Sequence, residues 1–416
     1  MELLRFITCG SVDDGKSTLI GRILYDSKAL LRDQVAALER SSARSGGGLN
    51  LALLTDGLRA EREQGITIDV AYKYFATPRR KFIIADTPGH VQYTRNMVTG
   101  ASTADLAVLL VDACQGVLEQ SRRHAYLAGL LRIPHVVLAV NKMDEMGWSR
   151  EVFERIRDEF LALTRTSGFA DVHAIPLSAL HGDNVVDISP NTPYYAGPPL
   201  LRYLEDIEVA RPSVPERARL PVQLVLRPND PKLRDYRAYA GEVTSGVFRP
   251  GDPVVVLPSN KATTIAAIDR YGDPVDEAFA PMSVAIRLTD DVDAGRGAII
   301  ASASHPLRVA SEWHARLFWM TERPLQPRAR LLLRHATEVV PVLVTCIESL
   351  VDIHTFADQP APAQLALNEI GRVRLKTARP VAFDRYADER ATGSFVLVDE
   401  ASNGTVAAGL ITEDPS

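Results

Sequence analysis

Cysteine is scarce in this chain: three in 416 residues, Cys9, Cys114 and Cys346, far apart, with no C-x-x-C pair and no histidine cluster nearby. That excludes a disulfide framework and a Cys/His zinc site, and the three thiols read as small buried residues of a reducing cytosol. A surplus of basic charge is also missing. Lys plus Arg number 47 against 52 Asp plus Glu, a formal net charge of -5. No global positive field recruits nucleic acid, so no stable nucleic-acid binding is expected, although a local patch is not excluded. No apolar run approaches the length that crosses a bilayer. Met1-Glu2-Leu3-Leu4-Arg5 leads straight into an apolar run, without a cationic leader and signal core. The expectation is a cytoplasmic chain with no membrane segment. Internal repeats and long low-complexity tracts are absent too, which argues against a solenoid.

What is present is an ordinary globular composition, 46% hydrophobic and 24% charged, over a length that suggests two or three domains. Near its start stands Gly10-Ser11-Val12-Asp13-Asp14-Gly15-Lys16-Ser17, with the spacing G-x-x-x-x-G-K-[ST]. An apolar run, Leu3 to Cys9, precedes it and a helix-like run, Thr18 to Tyr25, follows, which is the strand-loop-helix setting of a phosphate loop. The glycines let successive N–H groups turn inward to phosphate oxygens, and the helix start adds its own donors and positive dipole end. Lys16 supplies a point charge to the outer phosphates. Ser17 places a hydroxyl on a magnesium ion bridging them. Thr18 completes the binding stretch.

From residue 3 to about 210 short apolar runs (Lys81 to Ala85, Leu106 to Val111, Val136 to Val140, Val172 to Leu177) alternate with helical ones. That pattern predicts a mostly parallel, doubly wound sheet covered on both faces, with ligands at the carboxyl ends of its strands. An insertion between Asp26 and Ala60 reads as a helix over Lys28 to Arg40, then a Ser/Arg/Gly-rich loop, Ser41 to Gly48, suited to a switch element. Arg211-Pro212-Ser213-Val214-Pro215 reads as a linker. Beyond it come short β-rich stretches broken by Gly and Pro, first Pro221 to Leu288 and then Arg316 to Leu410. The expected architecture is an α/β P-loop domain, 1–210, followed by two small antiparallel β-barrels, 216–305 and 306–416.

Further motifs fall at strand ends. Asp86-Thr87-Pro88-Gly89-His90 follows the run Lys81 to Ala85. Asp86 can hold magnesium through a water, and the Gly89 N–H can be drawn to a γ-phosphate and released when it leaves. Asn141-Lys142-Met143-Asp144 ends the run Val136 to Val140 and favours guanine. Asp144 can accept both the N1–H and the exocyclic N–H of that base, the Asn141 amide can read the other edge, and the Lys142 stem can lie along the ring. The backbone N–H groups of Ser178-Ala179-Leu180 could bond the guanine oxygen. Gly65-Ile66-Thr67-Ile68 supplies Thr67 as a second hydroxyl on magnesium, ordered only while the γ-phosphate is present. His90 is the candidate for positioning the attacking water, with Val12 and Ile66 as an apolar screen that predicts slow intrinsic turnover and an accelerating partner. Lys16, Thr67 and His90 are thus the catalytic candidates. Arg59, Arg62 and Arg95 lie nearby with no assigned role.

These residues resemble the translation-factor family of GTPases, of which elongation factor Tu is the familiar member. The likeness rests on Gly10 to Ser17, Gly65 to Ile68, Asp86 to His90, Tyr93 to Gly100 and Asn141 to Asp144. Within it the chain is more similar to the GTP-binding large subunits of bacterial sulfate adenylyltransferases, through Thr55 to Leu58, Glu61 to Tyr72, Gln92 to Met97, Gly182 to Val185 and Thr405 to Gly409. The phosphate loop departs from the elongation-factor form, which has histidines where Ser11 and Asp14 stand here. The resemblance implies GTP and Mg2+ as ligands, with a monovalent cation beside Asp13 left open. It also implies a heterodimer or larger complex with a smaller catalytic subunit, which joins the adenylyl group of ATP to sulfate in sulfate assimilation. GTP hydrolysis here would drive that uphill step. In some relatives an adenosine-phosphosulfate kinase follows the last β domain; no second phosphate loop is present here, so that kinase is expected as a separate protein or beyond this sequence. The alternative is an elongation-factor-like GTPase delivering aminoacyl-tRNA, which the acidic balance disfavours. A nucleotide-binding scaffold without turnover is disfavoured by the full set Lys16, Ser17, Thr67, Asp86 and His90.

Overall fold

A computed structural model describes residues 2–28, 51, 69–209, 216–228 and 236–413. Several expectations therefore lie outside the described residues: the helix and loop over 29–48, Arg59, Arg62, Ile66, Thr67 and the linker 211–215. The chain divides into two compact units, 1–210 with 352–357, and 211–351 with 358–416.

In the first unit six strands form one sheet in the order β2-β3-β1-β4-β5-β6: β1 Leu3–Cys9, β2 Ala71–Ala76, β3 Lys81–Asp86, β4 Leu106–Asp112, β5 His135–Asn141 and β6 Asp171–Pro176. All neighbours run parallel except β2, which is antiparallel to β3 at the edge. The apolar runs explain the buried strands. All seven residues of β4 are buried, as a strand covered on both faces must be. Leu19, Ile20 and Ile23 of helix Lys16–Asp26 join Leu4, Phe6 and Phe82 in the core; their spacing puts them on one face of that helix. Parallel strands put Cys9, Asp86, Asp112 and Asn141 at a common rim. Edge strand β2 was not anticipated, since exposed Tyr72 and Tyr74 alternate with covered residues rather than forming an apolar run.

The second unit contains an eight-stranded antiparallel sheet between Arg219 and Ser302 and a seven-stranded one between Arg308 and Glu413. In the latter, Arg330–His335 pairs with both Ser394–Val398 and Glu338–Val351, which closes six strands into a barrel around Trp313, Leu317, Val373 and Leu375. The two sheets share a buried ion pair. Arg219, 1% exposed, donates from Nε and Nη2 to the two carboxylate oxygens of Asp384 at 2.9 and 3.1 Å, and Asp384 also accepts from the Thr392 hydroxyl at 2.6 Å. Among the described residues no helix is long and apolar enough to cross a membrane. Of the cysteines, Cys9 is buried, Cys346 half-buried and Cys114 exposed, which corrects the expectation of three buried thiols.

Candidate nucleotide site

Strand β1 carries the chain from the middle of the sheet into Gly10–Gly15, and helix Lys16–Asp26 begins at once. Gly15 has φ 91°, and a Cβ there would lie 2.4 Å from Asn141 Nδ2, so both torsion and space require glycine. The loop is braced from inside. The Ser11 N–H donates to Asp14 Oδ2 at 2.5 Å. Burial pushes the Asp14 carboxyl up to about 6, against the pull of Lys16 and of the Ser11 N–H. Lys16, buried, donates from Nζ to the carbonyls of Gly10 at 3.1 Å and Ser11 at 2.6 Å. Burial lowers its pKa, while Asp14 and Asp86 oppose the shift. Ser17 and Thr18 are half-buried in the first turn of the helix, and Val12 and Asp13 are exposed.

The end of β3 comes to the same place. Asp86 is 1% exposed and accepts from the Thr8 hydroxyl at 3.2 Å, and the Thr87 hydroxyl donates to Thr8 O at 2.6 Å. A Cβ on Gly89 would lie 2.5 Å from Lys16 Nζ and 2.9 Å from the backbone carbon and oxygen of Ser11. Gly89 is thus packed directly against the phosphate loop. His90 is half-buried with its ring 6.2 Å from that of Tyr93, and Arg95 is exposed.

Strand β5 delivers the third piece. Asn141 Nδ2 donates to Asp14 O at 2.7 Å, and its Oδ1 accepts from Ala179 N–H at 2.9 Å. Sequence reasoning assigned the amide to the base; its oxygen and one of its two N–H bonds are engaged in tying two loops together. The Ser178 and Ala179 N–H groups, expected to face guanine, are likewise engaged, with Asp183 O and Asn141. Lys142, at φ 62°, forms an ion pair with Asp112 across 2.7 Å. Burial alone would raise the Asp112 pKa, but Lys142 and the Cys114 N–H outweigh it and the net shift is downward. The Lys142 stem is therefore fixed at both ends. Asp144 is partly exposed, with His181 Nε2 3.6 Å from its carboxylate.

Several contributors were missed. Arg22 donates to the carbonyls of Ala179, at 3.2 Å, and Leu180, and pairs with Asp26; nothing in its helical setting signals that. Asp112 had a signal, because it ends an apolar run as Asp86 and Asn141 end theirs. A cavity of about 710 Å³ is lined by Arg22, Asp26, His181 and Ile188 among others, and it includes no residue of Gly10–Ser17 or of Ser178–Leu180.

Residues 1–213 match the family described as "Elongation factor Tu GTP binding domain", and 312–412 the one described as "GTP-eEF1A C-terminal domain-like". The chain is 55% identical over 416 residues to the "Bifunctional enzyme CysN/CysC" of Mycobacterium tuberculosis, spanning 100% of this chain and 68% of that protein. It is 50% identical over 414 residues to the "Bifunctional enzyme NodQ" of Rhizobium meliloti, spanning 99% and 64%. To the "Sulfate adenylyltransferase subunit 1" of Alteromonas mediterranea it is 47% identical over 416 residues, spanning 99% and 87%. The chain thus spans about two-thirds of the length of the bifunctional relatives.

Proposed function

Because the chain belongs to the elongation-factor-Tu type of GTPases, and within it to the family of the GTP-binding subunit of sulfate adenylyltransferase, we propose that its GTP hydrolysis drives adenylyl transfer in a partner catalytic subunit. That partner joins the adenylyl group of ATP to sulfate, forming adenosine 5′-phosphosulfate and releasing pyrophosphate. The observation that carries the GTPase half is the contact of Gly89 with Lys16 and Ser11. A segment that can sense the third phosphate is packed against the loop that holds it, so loss of that phosphate must be felt in the chain after β3.

The chain's own groups divide the work. Backbone N–H groups of the loop and helix start hold phosphate oxygens, and Lys16 exchanges loop carbonyls for phosphate. Asp144 accepts from the guanine N1–H and amino group, the second Asn141 N–H and the Leu180 N–H reach its other edge, and the fixed Lys142 stem supports the ring. His90 orients the attacking water. The donor set fits magnesium: a half-buried hydroxyl, Ser17, and a buried carboxylate, Asp86, held by Thr8, with Thr67 as the second hydroxyl. When bound, the ion neutralises charge on the outer phosphates. For a monovalent cation at Asp13 the structure offers no support: Asp13 is exposed.

The proposal places the chain in the cytoplasm in a heterodimer or larger complex, with an adenosine-phosphosulfate kinase, on the same or another polypeptide, consuming the product. Its test is to mix the chain with the small subunit, ATP, sulfate and GTP and follow adenosine phosphosulfate; a yield that does not rise with GTP overturns it. The elongation-factor alternative predicts a salt-sensitive aminoacyl-tRNA complex on a filter, against which the net charge of -5 argues.

A further inference from the structure

Helix Glu119–Leu130 presents three neighbouring polar residues to the nucleotide site, and the motifs read from the sequence use none of them. His124 is fully buried, and its Nδ1 accepts from the Gly10 N–H at 3.1 Å. Ser121 Oγ lies 3.3 Å from Ser11 Oγ. Gln120, one turn before His124 on the same face, donates from its amide to Thr94 Oγ1 at 3.0 Å and accepts on its oxygen from Arg123 at 2.8 Å. Thr94 in turn donates to Val91 O at 2.9 Å, in the turn that follows Gly89 and His90.

The two sides compete for one imidazole. Burial, reinforced by Lys16 and Arg123, holds His124 neutral with its pKa down at about 3. A neutral ring has one acceptor and one donor nitrogen. When Gly10 donates its backbone N–H to Nδ1, Nε2 carries the proton. Yet Nε2 lies 2.9 Å from the Gln120 amide nitrogen, the Gln120 oxygen being turned to Arg123, and it can accept from that amide only when Nδ1 carries the proton instead. The ring can accept from Gly10 or from Gln120, and a shift of Thr94 that moves Gln120 changes which.

We propose that His124 is a positioning residue that holds the phosphate loop through Gly10 and couples its shape to the segment after Gly89 through Gln120 and Thr94. The inference rests on the GTPase reading above. It predicts that His124 and Thr94 influence how the site distinguishes di- from triphosphate, although neither touches nucleotide.

The experiment measures dissociation constants for GDP and a non-hydrolysable GTP analogue in the wild type, His124→Ala, His124→Asn and Thr94→Val, with melting temperatures as a check on folding. His124→Ala should weaken nucleotide binding about tenfold, as expected when a buried donor loses its acceptor, and shift the ratio of the two constants about fivefold or more. His124→Asn keeps an acceptor for Gly10 but is too short for Gln120, so it should restore GDP affinity to within about twofold while leaving the ratio shifted. Thr94→Val should shift the ratio with little effect on GDP affinity. Equal loss for both nucleotides, or lowered melting temperature with an unchanged ratio, overturns the coupling. If His124→Ala does not fold, the Asn and Val variants decide by the same ratio. Failure of the wild type to prefer guanine nucleotides would sink the GTPase reading instead, and is seen before any variant is made.

Discussion

Asp14 offers the sharpest electrostatic test, because it is a carboxylate buried to 1% exposure inside a loop built for anions. Its pKa rises from 3.8 to about 6, with burial as the main cause and Lys16 the main opposing influence. The folded state therefore holds this proton more tightly than the unfolded chain does. Below about pH 4 both states are protonated and folding pays no charge penalty; as pH rises through about 6 that stability is lost, and above it the folded state carries the full cost of the buried charge. The rise corresponds to roughly 3 kcal/mol. Asp14→Asn keeps an acceptor for the Ser11 N–H and removes the charge. The nucleotide-free variant should therefore melt above the wild type by about 6–12 °C at pH 7.5, and the gap should narrow on acidification and close near pH 4. Thermal melts of both proteins across that range are the assay. A pH-independent gap, or a variant that melts lower at pH 7.5, would refute the reasoning and mean that Lys16 compensates the charge in full.

Other outcomes follow from the same geometry. Asp144→Asn puts a donor where the guanine amino group needs an acceptor, so GTP affinity should fall about 100-fold while xanthosine triphosphate, with an oxygen there, gains; fluorescence titration with both nucleotides checks it. His90→Ala should slow single-turnover GTP hydrolysis and leave GTP affinity nearly intact, and a loss of affinity equal to the loss of rate would assign His90 to binding. Arg219→Ala leaves Asp384 buried without its bidentate partner and should destabilise the second unit by about 3–5 kcal/mol. Denaturant unfolding measures that loss, and a change below about 1 kcal/mol would show that the pair contributes only as a surface bridge does.

Much of the fold was legible because buried parallel strands announce themselves as continuous apolar runs. Leu106 to Val111 and Val136 to Val140 needed only Asp112, His135 and Asn141 added at their ends. The long strands after residue 306 were less legible. Arg308–Trp319 and Glu338–Val351 shift register at Ala310/Glu312, Val344/Cys346 and Ile347/Ser349. Each shift breaks the two-residue alternation that a reader relies on. Closure of the barrel between Arg330–His335 and Glu338–Val351 left no comparable trace, because pairing across a sheet depends on geometry rather than composition.

The sequence alone determined which short stretches could hold phosphate, metal and guanine, since those abilities belong to local backbone torsions and to residue types a few positions apart. Only the tertiary structure decided what each side chain is occupied with. Asn141 meets Asp14 across 127 positions, His124 meets Gly10 across 114, and Arg22 meets Ala179 across 157. A hydrogen bond is formed by whichever donor and acceptor the sheet brings within 3 Å or so, and no local pattern records that meeting.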